Sequence, residues 1–403
     1  MNTNYDILII GGGAAGFFTA INIVEKNPQL KVAILERGNS VLEKVRISGG
    51  GRCNVTNSCS IISELIKNYP RGEKELLGPF HQFSTDDTVE WFKNHGVELK
   101  KEPDGRMFPV SNRSQTIIDC FMNATKQLGI DVITMQSVQS LYKGDGYWKV
   151  ETHLESYSCQ QVVMTTGSNP KVWEMLENLG HTIVPPVPSL FTFNIKDKKI
   201  KDLMGISKFA RVTVKDTKLQ AIGPLLITHW GMSGPGILRL SAWGARILAE
   251  KKYKFTITIN WLIETPIEEA LDVLKILKME NAKRTVLSNA ILNIPQRLWT
   301  NLVLAAAISE DTKWADLSKQ ELHNLATELT AGEFQVHGKS AFKEEFVTAG
   351  GIELKEINFK TMESKLHDGL YFAGEIVDID AITGGFNFQN AWTSGFIVAS
   401  SIH

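Results

Sequence analysis

Residues 5–38 read YDILIIGGGAAGFFTAINIVEKNPQLKVAILERG, and their order decides the fold. Residues 7–10 form an unbroken apolar run, the mark of a strand buried on both faces of a parallel sheet. Gly11, Gly13 and Gly16 follow as G-x-G-x-x-G, with Ala20 one turn further on. The first glycine permits a tight turn and the second lets backbone approach a pyrophosphate. Gly16 and Ala20 let the helix lie close on the sheet. Phosphates would rest at the helix N-terminus, where unsatisfied N–H groups and the macrodipole favour anions. A second apolar strand, 32–35, delivers Glu36, a carboxylate able to accept bonds from ribose hydroxyls. A lone glycine motif often marks only a turn. Here strand, glycines, helix, strand and acid occur in order within about 30 residues, which indicates a dinucleotide site. The acid at 36 disfavours a 2′-phosphate, leaving FAD or NAD rather than NADP.

At 403 residues the chain can hold two or three domains with sizeable cores. A content of 43% hydrophobic and 22% charged residues makes it globular rather than disordered. Lys+Arg 43 against Asp+Glu 44 leaves a net charge of −1, so no general electrostatic drive leads toward nucleic acid or anionic membrane. Neither is expected as a partner. Cys53, Cys59, Cys120 and Cys159 lack CxxC spacing, which suggests reduced thiols and a cytoplasmic location. The apolar stretch 8–24 is interrupted by Gly11–Gly13 and Gly16 and closes on Asn22 and Glu25; it reads as buried strand plus helix rather than a leader or membrane span. No metal site is expected.

Further along, Ser84 or Thr85 caps a helix with Val89, Trp91 and Phe92 inward and Gly96 as its stop. Residues 116–128 predict a second helix, and 130–135 a strand. Prolines at 185, 186 and 188 mark a crossing to another domain. Residues 191–262 are rich in short β-type runs and 266–330 in amphipathic helices with solvated charged faces. Strand and turn character returns at FKEEFVTAGGIEL, 342–354.

A second glycine run, RISGGGRCNVTN at 46–57, could cradle a phosphate, carry a reactive thiol or be a tight turn. Near the C-terminus GLYFAGE (369–375) has an apolar strand that ends on an acid, and GGFNFQNAWTSG (384–395) opens a helix. With THWGMSGPGIL (228–238), VTAGGI (347–352) and VVMTTG (162–167), these stretches resemble the aminoacetone oxidase/BaiN-like (YhiN) flavoprotein family, from residue 5 to about 399.

The resemblance implies an α/β fold: a glutathione-reductase-like Rossmann FAD-binding domain, discontinuous in sequence (1–188 and 337–403). It would be interrupted by an inserted domain, β-rich at 189–264 and helical at 265–336. It implies FAD as cofactor, contacted by Gly11, Gly13, Ala14, Ala15, Gly16, Glu36, Arg37, Lys44, Ser48, Gly50, Gly51, Arg52, Cys53, Asn54, Val138, Thr166, Gly167, Gly374, Glu375, Asn387, Phe388 and Gln389. Thr348, Gly350 and Gly351 resemble a flavin-facing loop. Asp378 and Asp380 would bond the ribityl chain, orient Asn387, or cap a turn. In that frame the 46–57 run packs beside the flavin, since the Lys-Ser/Thr ending of a P-loop is absent. Cys53 is then either a buried inert thiol or a redox partner of the flavin.

Candidate catalytic groups are His229, Arg52 and Asn387. His229 could equally be a turn histidine bonded to backbone. Arg106 could meet a substrate carboxylate or a surface acid. The expected activity is an FAD-dependent oxidoreductase on a small organic substrate, with NAD(P)H visiting transiently because no second strand–GxGxxG–helix unit exists. An FAD-dependent amine oxidase using O2 and an RNA-modifying flavoprotein are the alternatives. Oligomeric state is left open.

Overall fold

Strand Thr3–Ile10 occupies the middle of a parallel sheet, and Ile7, Leu8, Ile9 and Ile10 are buried on both faces. The computed structural model describes residues 3–288, 290–340 and 347–403. Its parallel strands run in the order Leu370–Phe372, Ser156–Met164, Thr3–Ile10, Val32–Leu35, Asp131–Ile133. The C-terminal strand Leu370–Phe372 therefore pairs directly with Ser156–Met164, from the opposite half of the sequence. Helix Ala14–Lys26 and the final helix Phe386–Ser401 pack on the sheet and on each other. They can approach closely because a Cβ on Gly395 would lie 2.6 Å from the Thr19 hydroxyl. Phe18, Trp91, Phe121 and Trp392 form an aromatic cluster in this layer, with ring centroids 4.7–5.8 Å apart.

The chain divides into two compact units, 1–187 with 343–403, and 188–342. The second contains a closed barrel with strand order Thr192–Ile195, Gly231–Ser233, Gln220–Thr228, Ser207–Val214, Phe255–Asn260, Gly332–Ser340. Alternate residues point inward: Ala210, Val212 and Val214 face Ile257 and Ile259 in its core. Helices Ile267–Glu280, Gln296–Ala305 and Lys319–Ala331 share that core through Leu274, Trp299 and Leu325, all fully buried.

One expectation needs correction here. The expected boundary assigns 332–336 to the helical part and 337–340 to the second FAD segment, yet Gly332–Ser340 is one strand that closes the barrel between Thr192–Ile195 and Phe255–Asn260. Residues 342–346 of the FKEEF segment lie outside the described residues.

Capping follows sequence logic. Helix Thr85–Asn94 starts on Ser84 with a capping box to Asp87, and Gly96 adopts φ +77° just past its end. Helix Lys319–Ala331 repeats the device with Ser318 and Glu321.

Candidate functional site

The first glycine loop is set by backbone crowding. A Cβ on Gly11 would meet the Thr165 carbonyl oxygen at 2.6 Å, and one on Gly16 would meet the Gly11 carbonyl oxygen at 2.1 Å. The Thr165 hydroxyl donates to the carbonyls of Ile10 (3.1 Å) and Gly11 (2.9 Å), joining the strand end 165–167 to the loop. Thr165 carried no signal of its own in the sequence beyond its place beside Thr166 and Gly167. Gly13 differs from its neighbours, because nothing lies within 4 Å of where its Cβ would be.

Glu36 is held rigidly. Its carboxylate accepts from the Gly12 N–H at 2.8 Å and the Gly38 N–H at 2.8 Å. A carboxylate has about four acceptor positions, so two remain for ribose hydroxyls. Arg37 next to it is exposed, and Val138, half-buried, opens the strand Val138–Lys143 opposite Thr152.

The second glycine loop closes a short helix, Glu43–Gly51, whose backbone kinks at Ser48. Gly49, Gly50 and Gly51 have φ of +57°, +68° and +81°, and Cys53 has φ +60°. Gly49 is packed against Asn54 and Phe108, each about to touch an added Cβ at 3.0 Å. Gly50 and Gly51 face open space, where a Cβ would meet nothing within 4 Å. The Ser48 hydroxyl donates to the Val45 carbonyl (3.0 Å). Cys53 is fully buried, and burial pushes its thiol up to about 12, so it stays protonated and a poor nucleophile. The inert reading of Cys53 is the one its surroundings favour.

Arg52 does not point a free guanidinium into this space. It donates to Glu102 at 2.6 Å and lies over the Phe108 ring at 4.0 Å. Arg106 shares Glu102 (3.1 Å) and donates to Asp104 (2.7 Å), so it meets acids of its own surface.

On the C-terminal side, Gly374 takes φ +77° and a Cβ there would lie 2.9 Å from the Ala15 Cβ, which brings Ala14, Ala15 and Glu375 together. The Glu375 carboxylate accepts from Lys44 Nζ (2.5 Å) and from the Thr348 N–H (3.1 Å). Gly167 approaches it, its Cβ position 3.7 Å from the Glu375 carboxylate. Gly350 and Gly351, at φ +133° and +136°, pack backbone to backbone against Pro186 and Ile376; they are packing glycines rather than an open loop.

The final helix begins after Gly385 at φ +95°, and no side chain caps it, so its first N–H groups are available to an acceptor. Three of its expected contact residues behave otherwise. Asn387 pairs at two points with the Ala381 backbone (2.9 and 3.1 Å), which occupies its amide and fixes the preceding loop. Gln389 is fully buried; it accepts from Thr56 (2.6 Å) and Thr88 (2.9 Å) and donates to Ser84 and Thr393 (3.0 Å each). All its capacity is spent inside the core. Phe388 stacks on Trp392 with centroids 5.5 Å apart. Asp380 is completely buried in a two-point pair with Arg71, a structural role no local pattern announced. Asp378 is buried with its N–H on the Ile352 carbonyl. His229 lies in the second unit, exposed in the turn between strands Gln220–Thr228 and Gly231–Ser233.

A family model described as HI0933-like protein Rossmann domain matches residues 5–401. The chain belongs to the HI0933-like family. That agrees with the BaiN/YhiN resemblance. A relative from Haemophilus influenzae, a ribosomal RNA dihydrouridine synthase, is 27% identical over 98% of both chains. A 3-dehydro-bile acid delta(4,6)-reductase from Clostridium scindens is 25% identical over 96% of this chain and 97% of its own. Among solved structures, a 3-ketosteroid delta1-dehydrogenase from Sterolibacterium denitrificans covers 100% of this chain and 99% of its own, with TM-score 0.54 and 10% identity, a likeness of fold.

As a member of the HI0933-like family, the protein is an FAD-dependent oxidoreductase. Its residues fit the cofactor: Gly13, Gly50 and Gly51 leave room that side chains would fill. The buried hydroxyl of Thr166, beside Gly11, has no hydrogen-bond partner among the described residues. Among the described residues no helix is long and apolar enough to cross a membrane.

Proposed function

We propose that the protein reduces a carbon–carbon double bond conjugated to a carbonyl, and that its substrate is uridine within RNA. The observation that carries this reading is the end-to-end match to two relatives whose activities share one bond type. Forming dihydrouridine saturates the C5=C6 bond conjugated to a ring carbonyl. A delta(4,6) double bond beside a 3-oxo group is the same enone chemistry on another skeleton. The RNA substrate is preferred because both the H. influenzae relative and this chain are covered to 98%. This revises the expectation, drawn from net charge alone, that nucleic acid would not be a partner.

When bound and reduced by the nicotinamide, FAD would supply hydride chemistry for the β-carbon of such a system. The chain's own groups do the rest. Glu36, held by the Gly12 N–H, would accept from the adenosine ribose, and the uncapped N-termini of helices Ala14–Lys26 and Phe386–Ser401 would offer N–H groups to pyrophosphate and to a flavin carbonyl. Gly50 and Gly51, with open space where a Cβ would be, would leave room for the ring. Lys44 and Thr348 fix the Glu375 carboxylate, which would then meet the ribityl chain. The α-carbon also needs a proton, which a general acid or water must supply. NAD(P)H would serve as a transient donor of reducing equivalents.

The test is anaerobic titration of the purified yellow protein with NADH, then NADPH, followed by RNA, free uridine or a 4-ene-3-one. Bleaching by nicotinamide and recovery on adding RNA, with dihydrouridine found by nucleoside mass spectrometry, supports the reading. Reduction only by an amine, with fast recovery in air, overturns it in favour of an oxidase.

A further inference from the structure

The net charge of −1 conceals a sharp segregation. Residues 188–260 carry 13 Lys/Arg against 4 Asp/Glu, a net of +9, so the rest of the chain is net −10. Solubility alone would be served by intermixed charges. A block of one sign on one architectural element is what a polyanion selects.

Part of this charge converges on one rim of the barrel. The turn 215–219 joins strands Ser207–Val214 and Gln220–Thr228, and the turn 251–254 leads into Phe255–Asn260. The Lys215 N–H donates to the Thr256 carbonyl at 2.9 Å, which places the two turns side by side. Lys215, Lys218, Lys252 and Lys254 are exposed there. Lys339, at the adjoining end of strand Gly332–Ser340, has its ammonium 5.1 Å from the centre of the Tyr253 ring. The acids on this rim are Asp216 and Glu250, with Glu333 bonded to Lys215 at 2.6 Å. Lys252 and Tyr253 both adopt the left-handed conformation, with φ +53° and +58°, so the turn has one defined course.

We infer that this lysine rim is a docking surface for the phosphate backbone of structured RNA, which brings a polyanionic substrate to an otherwise acidic protein. The inference rests on the RNA reading above and names the surface that reading requires. A bilayer is the other polyanionic surface lysines could meet. Membrane docking would interleave exposed large apolar side chains with the lysines. Neither turn has one among the described residues: Leu219 is half-buried, and Tyr253 packs edge-on against Phe191 at 5.4 Å.

The experiment measures binding of the FAD-loaded full chain to a labelled stem-loop RNA of ~30 nucleotides by fluorescence anisotropy across a salt series. K218E/K252E/K254E should weaken binding at least about tenfold at physiological salt and flatten the slope of log Kd against log salt by about 2. K218R/K252R/K254R should bind as the wild type does, and the flavin spectrum of both variants should be unchanged. Equal binding by wild type and the glutamate variant would overturn the docking surface, as would tighter binding to phosphatidylserine vesicles than to RNA. The two readings fail separately. If the wild type makes no dihydrouridine but the rim still binds RNA, the substrate assignment falls and the surface stands. If dihydrouridine forms equally fast with the glutamate variant at subsaturating RNA, the surface falls and the substrate assignment stands.

Discussion

Two glycine clusters lie in the first unit, and they are glycine for opposite reasons. Gly11 and Gly16 are closed in by backbone, with 2.6 Å and 2.1 Å between an added Cβ and a carbonyl oxygen. Gly50 and Gly51 have left-handed φ but open space around them. The first pair serves the packing of helix on strand, and its loss would be felt with or without cofactor. The second pair leaves volume for a ligand. Residue type alone does not separate packing glycines from ligand glycines; the surrounding atoms do.

Gly16→Ala should have the largest effect. Because the obstructing atom is backbone, we expect a loss of at least about 3 kcal/mol of stability, visible as a lower denaturation midpoint in the FAD-free protein. If apoprotein stability is unchanged, the division between the clusters is wrong. Gly51→Ala should cost only about 1–2 kcal/mol for its left-handed residue, while FAD affinity falls about tenfold or more in a fluorescence titration. A fold lost along with the flavin would make Gly51 another packing glycine.

Glu36→Gln sharpens the ligand side. It keeps an acceptor for Gly12 or Gly38 but not both, and gives up charge-assisted bonds worth about 1.5–3 kcal/mol, so FAD should bind roughly tenfold more weakly or worse and the midpoint of unfolding should fall as well. Cys53→Ala tests the neighbour of the open glycines. Its thiol is protonated, so the rate of flavin reduction should match wild type, while stability drops by about 1 kcal/mol for the small cavity. A slowed flavin reduction would restore the redox reading.

The smallest effect is a pH dependence remote from both loops. His181 is buried, with Nδ1 at 2.9 Å from Glu356 and Nε2 at 3.1 Å from Ser364. Burial lowers its pKa below the ordinary value of 6.5 despite Glu356, so the folded protein prefers the neutral ring. The stability this contributes is complete above about pH 6.5 and declines as pH falls toward the lower folded value. Burial pushes the Glu356 carboxyl up, but its bonds to Thr182 and His181 together outweigh that and hold it below 4.5, so its contribution is lost on further acidification. Denaturation midpoints should thus fall on acidification below pH 6.5, and His181→Phe should shrink the first part of that fall. An unchanged profile would remove His181 from the account.

Much of the nucleotide half was legible because its determinants are local. A strand run, three spaced glycines, a helix and Glu36 fall within one short segment, and the parallel sheet and its FAD family follow from them. The change to a β-rich insert was legible from prolines and alternation, whereas closure of the barrel by residues 332–340 depended on pairing with strands about 80 and 150 positions earlier, as in Phe255↔Val336 and Thr192↔Ser340. The roles of Asn387, Gln389, Arg52 and Asp380 were equally out of reach. Each is a polar side chain whose partner, Ala381, Thr56, Glu102 or Arg71, is chosen by packing, and a buried polar group must take whatever partner the fold brings. Motif spacing determined where the cofactor chemistry lies; only the tertiary structure decided which polar groups remain free to touch it, because hydrogen bonds in the core are assigned by proximity in space.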